Sequence, residues 1–233
     1  MDDILRQTRR ELAAVADPEK AGPMAAYMKT DMKFHGVQKP DRKPILRKLK
    51  EDYRPSSVDD VERVVLALWA GEFREEKYLA VDFLCDHRKF HRVGQLPLCE
   101  RLIIEGAWWD FVDAIASHPV GFALGRERTE VRPILEQWLH SDNMWLRRST
   151  IISQIRLKDE TDANALFSDC LECADEKEFF IRKAIGWALR EYSKAAPEAV
   201  RDFLVDHRDQ LSPLSFREGA KRLVREGWDP GAA

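Results

Sequence analysis

The sequence has few cysteines and no long apolar run, and both absences narrow the class of protein. Among 233 residues there are four cysteines, Cys85, Cys99, Cys170 and Cys173. That number is too small for a disulfide framework in a chain of this length and is typical of a reducing compartment. No stretch approaches the ~20 consecutive apolar residues that a bilayer crossing requires, and the start of the chain lacks the apolar run of a signal peptide. We therefore expect a globular protein with a cytoplasmic location and no membrane partner.

The common signatures of cofactor and metal sites are also missing. There is no Gly-rich phosphate loop, no GxSxG elbow and no Ser-His-Asp arrangement. Cys170 and Cys173 form a lone CxxC without a second pair, which is weak evidence for zinc or redox chemistry. His87 and His91 are four residues apart, but no glutamate follows the first histidine and the neighbouring cations would repel a metal ion. We expect neither a metal nor another cofactor.

Positive charge is scarce overall, because 38 Lys and Arg oppose 41 Asp and Glu, giving a net charge of −3. This balance excludes a uniformly basic nucleic-acid binder, since neutralising phosphates requires a local excess of cations. The charges are nevertheless segregated. Residues 27–50 hold eight cations and two acids, a local net charge of +6, whereas residues 159–178 hold eight acids and one lysine. A nucleic-acid role would depend on such a patch, although a basic helix face is often simply solvated.

Alternating runs typical of strands are nearly absent, while apolar residues recur every three or four positions almost throughout. This pattern predicts an all-α fold with helices of roughly 12–18 residues between turn signals. The turn signals lie at residues 17–18, 38–40, 54–56, 94–97, 141–143, 159–162, 196–197 and 212–213.

Helices that begin with an aromatic residue recur at a regular interval. Their aromatic residues are separated by 31, 36, 35 and 36 residues, and they are Tyr78, Trp109, Trp145, Phe180 and Phe216. A period of this length with two helices per unit predicts an α-solenoid of stacked antiparallel helix pairs with a concave surface. One solenoid accounts for residues 1–233 as a single domain. The alternative is a long irregular helical bundle.

The segment AWWDFVDAI places a large indole and a carboxylate away from the core. At 100° per residue, Trp108, Phe111, Val112 and Ile115 form the core stripe. Trp109 and Asp113 are four residues apart and lie off that stripe. The structural alternative is a partly buried tryptophan beside a hydrogen-bonded aspartate.

The segment 179–190 has a second face that is aromatic and basic. Its core stripe is Ile181, Ala184, Ile185 and Ala188, continuing to Tyr192. The opposite face carries Phe180, Lys183, Trp187 and Arg190. Aromatic rings interleaved with cations are typical of nucleic-acid contact, although Trp187 could instead pack on a neighbouring helix pair.

Arg148 lies along the apolar stripe of Ile151, Ile152 and Ile155, close to the start of its helix. A long side chain there could emerge past the helix end, where backbone N–H groups favour an anion such as phosphate. A buried Arg–carboxylate pair is the alternative.

Four segments together resemble the AlkD-type DNA alkylation repair enzymes, which are HEAT-like-repeat DNA glycosylases. The segments are YMKTDMKFHGVQKPDRK (27–43), WWDFVD (108–113), WLRRSTI (145–151) and EFFIRKAIGWALREYSK (178–194). The resemblance implies an α-solenoid of HEAT-like repeats whose concave cationic surface binds double-stranded DNA. It also implies hydrolysis of the N-glycosidic bond of N3- and N7-alkylated purines.

The resemblance assigns roles to individual residues. The family's catalytic aspartate falls on Asp113, its active-site tryptophans on Trp109 and Trp187, and its phosphate-contacting arginine on Arg148. Further DNA-binding residues are expected at Tyr27, Gln38, Lys39, Arg147, Phe180, Lys183 and Arg190. Lys39 precedes Pro40 where the family often has a threonine able to cap the helix, and we expect a weaker cap there.

An alkylated purine carries a positive charge and is already a good leaving group, so one carboxylate can suffice where glycosidases normally need two. We expect a monomer that leaves an abasic site, because no lysine is placed to form an imine. A non-catalytic DNA-binding relative and a protein-interaction scaffold remain alternatives.

Overall fold

The computed structural model describes residues 3–231, which divide after Phe90 into an N-terminal unit and a C-terminal unit, each compact. The two units are described separately below. That the whole chain forms one continuous domain stays a prediction.

The described residues are helical and contain no β-strand, which confirms the all-α prediction; an isolated bridge pairs Lys33 with Phe73. No helix within residues 3–231 is both long and apolar enough to cross a bilayer. The helices of the N-terminal unit are α1 (Asp3–Ala14), α2 (Pro18–Met28), α3 (Lys39–Asp52), α4 (Val58–Trp69) and α5 (Arg74–Asp86). Those of the C-terminal unit are α6 (Leu96–Gly106), α7 (Trp109–Ile115), α8 (Gly121–Arg126), α9 (Arg128–Leu139), α10 (Met144–Ile152), α11 (Ala163–Glu172), α12 (Phe179–Tyr192), α13 (Pro197–Asp206) and α14 (Pro213–Arg225).

Several predicted breaks coincide with helix caps. Asp17, Asn143, Asp162 and Ser212 are N-cap residues whose side chains accept a backbone N–H of the first turn. The five aromatic residues that defined the period each lie within the first five residues of α5, α7, α10, α12 or α14. The expectation that Lys39 occupies a cap position is wrong: Gln38 is the N-cap residue of α3, without a side-chain hydrogen bond, and Lys39 is the first helical residue.

A buried carboxylate fixes the loop between α2 and α3 in the N-terminal unit. Glu75 of α5 is fully buried and accepts backbone N–H groups of His35, Gly36 and Val37 at 2.9 to 3.0 Å. Gly36 has a φ of +81°, and a Cβ there would lie 1.9 Å from the Asp17 carbonyl oxygen, so the loop requires glycine. This loop leads directly into the start of α3.

The helix that carries Asp113 changes its hydrogen-bonding pattern just beyond that residue. The chain continues from α7 through a π-helical segment, Ala116–Val120, into α8, so helical conformation runs from 109 to 126. Pro119 supplies no backbone N–H to the ladder, and the Ser117 hydroxyl donates to the Asp113 carbonyl at 2.7 Å. The predicted 12–18-residue helix is therefore present as three consecutive segments.

In the C-terminal unit the helices that begin with an aromatic residue contact one another in chain order. α7 packs on α10, α10 on α12, and α12 along α14. The apolar side chains of α12 that face the core are Ile181, Ala184, Ile185 and Ala188, all buried as predicted. This contact order brings Asp113, Arg148 and the start of α12 into one region.

Candidate active site

The centre of the candidate site is an ion pair between α7 and α10. Arg148 donates from Nε to Oδ1 of Asp113 and from Nη2 to Oδ2, both at 2.8 Å. The Arg148 side chain is 6% exposed and that of Asp113 is 18% exposed. Arg148 is the fifth residue of α10, and its guanidinium turns into the protein instead of emerging past the helix end, so that expectation is wrong. The buried Arg–carboxylate alternative describes the arrangement in the structure.

Burial and the arginine act on Asp113 in opposite directions. Burial raises the pKa of the Asp113 carboxyl, and the hydrogen bonds and positive charge of Arg148 offset part of that rise. Both carboxylate oxygens accept a hydrogen bond from the guanidinium, an arrangement that favours the ionised form. Each oxygen keeps one lone pair for a further donor, so the carboxylate can still bind a water molecule.

Arg148 is fixed by a third hydrogen bond, to α12. Its Nη1 donates to the Phe180 carbonyl at 2.5 Å, and the guanidinium carbon lies 5.9 Å from the Phe180 ring centroid. Three of the five guanidinium N–H groups are therefore used within the protein. The other two, one on Nη1 and one on Nη2, donate to no other group among the described residues.

A cluster of aromatic rings lies beside Arg148. Trp108, Trp145 and Phe180 form a cluster with centroid distances of 4.9 to 6.0 Å. Trp108 is the N-cap residue of α7 with extended backbone, so its ring does not follow the predicted helical core stripe and is half-buried. Phe180 was expected to contact DNA, and part of its surface is occupied by the cluster.

Trp109 and Trp187 are both half-buried. Trp109 precedes Asp113 by one turn of α7. Trp187 packs against the apolar core of the C-terminal unit, as the structural alternative expected, and keeps part of its ring accessible. It lies two turns beyond Phe180 on the same face of α12, about 10 Å along the helix axis.

The other predicted DNA-binding cations of this unit are engaged in ion pairs. Arg147 binds Glu176 through Nε and Nη2 at 2.8 and 2.7 Å and also donates to the Ser141 carbonyl. Lys183 and Arg190 both contact Glu218, at 3.1 and 2.7 Å. Their DNA-binding role stays a prediction.

Tyr27, Gln38 and Lys39 belong to the N-terminal unit. Tyr27, 72% exposed, and Gln38 line one apolar cavity of about 330 Å³ together with Met24, Met28 and Tyr78. Lys39 lines a separate basic groove of about 340 Å³ between α3 and α5. The groove is also lined by Arg42, Lys43, Arg47, Lys50, Asp82 and Asp86.

The +6 stretch is partly neutralised within its own unit. Lys33 pairs with Glu72, Lys39 with Asp82 and Lys50 with Asp86. Lys43 and Arg47 are exposed.

The CxxC cysteines and the histidines carried the weak sequence signals for metal or redox chemistry. No group of three or more His, Cys, Asp or Glu side chains within residues 3–231 is placed to hold a metal ion. Cys170 and Cys173 are buried, and burial raises the pKa of both thiols, that of Cys173 to about 12. Neither is therefore a reactive thiolate.

Sequence reasoning missed the acids that hold the predicted cations. Glu176 lies 29 residues from Arg147, and Glu218 lies 28 residues from Arg190. Glu218 also lies 35 residues after Lys183, which matches the spacing of the aromatic period, so a search for opposite charges at that interval could have found this pair. The Trp108–Trp145 contact was also missed.

The similarity to known proteins extends over almost the whole chain. The family model described as DNA alkylation repair enzyme matches residues 8–223. The chain is similar to the solved structure of a predicted DNA alkylation repair enzyme from Enterococcus faecalis, with 31% sequence identity and a TM-score of 0.81. That similarity covers 90% of this chain and 97% of the other. A comparison with curated proteins finds no match.

Proposed function

Because the chain belongs to the DNA alkylation repair enzyme family, we propose that it is a monofunctional DNA glycosylase. Its substrate is double-stranded DNA containing N3- or N7-alkylated purines, and its product is an abasic site. The observation that carries the proposal is the Asp113–Arg148 pair, a partly accessible carboxylate held by an arginine that lies beside the Phe180 ring.

The reaction breaks the bond between the sugar C1′ and the purine N9. The electron pair of that bond moves to the cationic base, which leaves as a neutral alkylpurine. Water adds its oxygen to C1′ and loses a proton to solvent. The base needs no proton to leave, which is why a single carboxylate is sufficient here.

Asp113 stabilises the positive charge that develops on the deoxyribose and orients the attacking water. A fixed carboxylate largely withdrawn from solvent interacts more strongly with a developing cation than one in bulk water. Trp109 and Trp187 flank the sugar, each contributing about 0.5–2 kcal/mol to a cationic transition state.

Arg148 has two roles in this proposal. Through Nε and Nη2 it holds the Asp113 carboxylate in one orientation. Its two remaining N–H groups, one on Nη1 and one on Nη2, bind a phosphate of the damaged strand. The same arginine therefore aligns the carboxylate with the DNA backbone.

Further contacts come from the cations and aromatic residues expected to bind DNA. They are Tyr27, Gln38, Lys39, Arg147, Phe180, Lys183 and Arg190. The order in which α7, α10, α12 and α14 contact one another supports a solenoid of HEAT-like repeats. We propose that the protein acts as a monomer.

The decisive test measures release of 7-methylguanine from methylated duplex DNA. Asp113→Asn keeps the size of the side chain and removes its charge, and we expect release to fall at least about 100-fold, as for other electrostatic groups at reacting centres. The matched control is Asp110→Asn, three residues earlier on α7, where Oδ1 accepts the Phe111 N–H. That variant retains most of the release.

Equal release by wild type and Asp113→Asn would remove Asp113 from the mechanism. Binding of duplex DNA without release by wild type would favour the non-catalytic relative. If wild type neither binds duplex DNA nor releases 7-methylguanine, the protein-interaction scaffold is the alternative that remains.

A further inference from the structure

Glu218 of α14 joins two of the predicted DNA-binding cations. One of its oxygens, Oε2, lies 3.1 Å from Lys183 Nζ and 2.7 Å from Arg190 Nη1. Burial alone would raise the pKa of Glu218, but contact with the two cations outweighs burial and the pKa lies below its usual value. Glu218 is therefore ionised at neutral pH. No other acid among the described residues forms an ion pair with either cation.

The packing of α12 on α14 fixes this carboxylate in place. A Cβ at Gly186 would lie 2.5 Å from the Glu218 Cβ and 2.9 Å from the Ser215 carbonyl oxygen, so the helices touch closely there. The Ser215 hydroxyl donates to the Arg182 carbonyl at 3.0 Å. Lys183 and Arg190 lie three residues before and four residues after Gly186. Glu218 thus reaches α12 midway between its two partners.

The two cations remain accessible from solvent. The side chains of Lys183 and Arg190 are 36% and 27% exposed, whereas that of Glu218 is 15% exposed. A phosphate can therefore reach both cations, whereas the carboxylate is less exposed than either of them. The carboxylate competes with that phosphate and also repels it.

We propose that Glu218 restrains DNA binding by holding Lys183 and Arg190 in an internal ion pair that a DNA phosphate must displace. The proposal rests on the proposed function, because it takes both cations as DNA contacts. It makes Glu218 a positioning residue that sets affinity rather than chemistry. Such a restraint weakens binding to undamaged DNA, which outnumbers lesions.

The test compares wild type with Glu218→Gln, which keeps the shape of the side chain and removes its charge. Binding to an undamaged duplex is followed by fluorescence anisotropy across a salt series, and 7-methylguanine release is measured in parallel. We expect Glu218→Gln to bind about tenfold more tightly at low salt. The slope of log Kd against log salt should steepen by up to about 1.8, since two released cations each displace counterions.

The matched control is Glu226→Gln at the end of the same helix, which removes one negative charge and frees Arg222 Nε. Its affinity should stay within about twofold of wild type. Equal changes in both variants would show an effect of net charge and would overturn the proposal. Unchanged or weaker binding by Glu218→Gln would also overturn the proposal. If that variant in addition melts at a lower temperature than wild type, Glu218 has a purely structural role.

The two proposals fail in different ways. If wild type neither binds the duplex nor releases 7-methylguanine, the proposed function fails and the restraint fails with it. If wild type does both and Glu218→Gln binds no more tightly, only the restraint fails.

Discussion

Asp113 forms an ion pair with Arg148, and both side chains are largely withdrawn from solvent. An ion pair of this kind is costly to bury and is weak evidence for stability. The proposed mechanism gives a functional reason for it, because there the carboxylate must be both ionised and poorly hydrated to act on a developing sugar cation. Burial pushes the pKa of Asp113 upward, and Arg148 limits that rise.

The pair predicts a shift in pH dependence when Arg148 is changed. The proposed reaction needs the ionised carboxylate, so the rate should fall as pH decreases through the pKa of Asp113. Arg148→Gln removes the group that lowers this pKa, and the fall should begin at a higher pH than in wild type. The measurement is the single-turnover rate of 7-methylguanine release at saturating protein, corrected for spontaneous release at each pH.

Arg147→Gln is the matched control for this experiment. Arg147 is the neighbouring arginine, and its guanidinium binds Glu176 instead of Asp113. Whatever its effect on affinity, this change should leave the acid limb in place. An acid limb that moves equally in both variants, or in neither, would contradict the role given to Arg148.

At the residue scale, helical arithmetic separated Asp113, Trp109 and the outer face of α12 from the core. It could not pair Asp113 with Arg148, because the contact joins residues 35 positions apart on different helices. From the sequence, phosphate binding by Arg148 and a buried Arg–carboxylate pair are alternatives. In the structure the arginine forms the buried pair and still has two N–H groups to offer.

At the scale of elements, α12 and α14 depend on two small residues. Gly186 lies against Glu218 and Ser215, and a Cβ placed at Gly219 would lie 3.3 Å from the Leu189 Cβ. Periodicity predicted both helices and the buried stripe of α12. It gave no measure of how closely they approach, since that distance depends on residues of both helices.

Gly186→Ala should destabilise the protein. Alanine favours the helix by about 1 kcal/mol, but its Cβ would lie 2.9 Å from a backbone oxygen that no side-chain rotation can move. Overpacking of this kind costs about 1–3 kcal/mol. We expect a net loss of up to about 2 kcal/mol in the free energy of unfolding, measured by urea denaturation.

Gly22→Ala should change the free energy of unfolding in the opposite direction in the same assay. Gly22 lies within α2, and nothing approaches within 4 Å of a Cβ placed there. This variant should be more stable by about 0.5–1 kcal/mol. If Gly186→Ala were stabilised to the same extent, the close approach of α12 to α14 would be refuted.

The helix around Asp113 shows a limit of prediction from periodicity. The apolar pattern predicted a helix around Asp113 but could not show that the hydrogen-bonding register changes at Ala116–Val120. Pro119 is visible in the sequence, but a proline can end, bend or widen a helix. Which of these occurs depends on partners such as the Ser117 hydroxyl.

At the scale of the whole molecule, a net charge of −3 does not exclude DNA binding, because cations and acids are unevenly distributed along the chain. The +6 stretch of residues 27–50 indicated segregation. Its partial neutralisation by Glu72, Asp82 and Asp86 depends on tertiary structure. Net charge therefore says little about the field near a particular groove.

The prediction that the chain forms one domain can be tested by its tryptophans. Six of the seven lie after residue 90, so tryptophan fluorescence reports mainly on the C-terminal unit, while far-UV circular dichroism reports on all helices. In a solenoid each helix pair is stabilised by its neighbours. The two signals should therefore change at the same urea concentration.

A variant in the N-terminal unit makes this test sharper. Glu75→Gln leaves a single oxygen to face the N–H groups of His35, Gly36 and Val37, and brings an extra donor against them. We expect a loss of about 2–4 kcal/mol from the buried donors left without a charged acceptor. In one domain the fluorescence transition must move to lower urea together with the dichroism, although most of the tryptophans lie beyond Phe90.

The control is Glu51→Gln. Glu51 is an exposed acid on α3, so this variant removes the same charge and should move neither transition. A fluorescence transition that stays in place while the dichroism splits would mean that the two units fold independently.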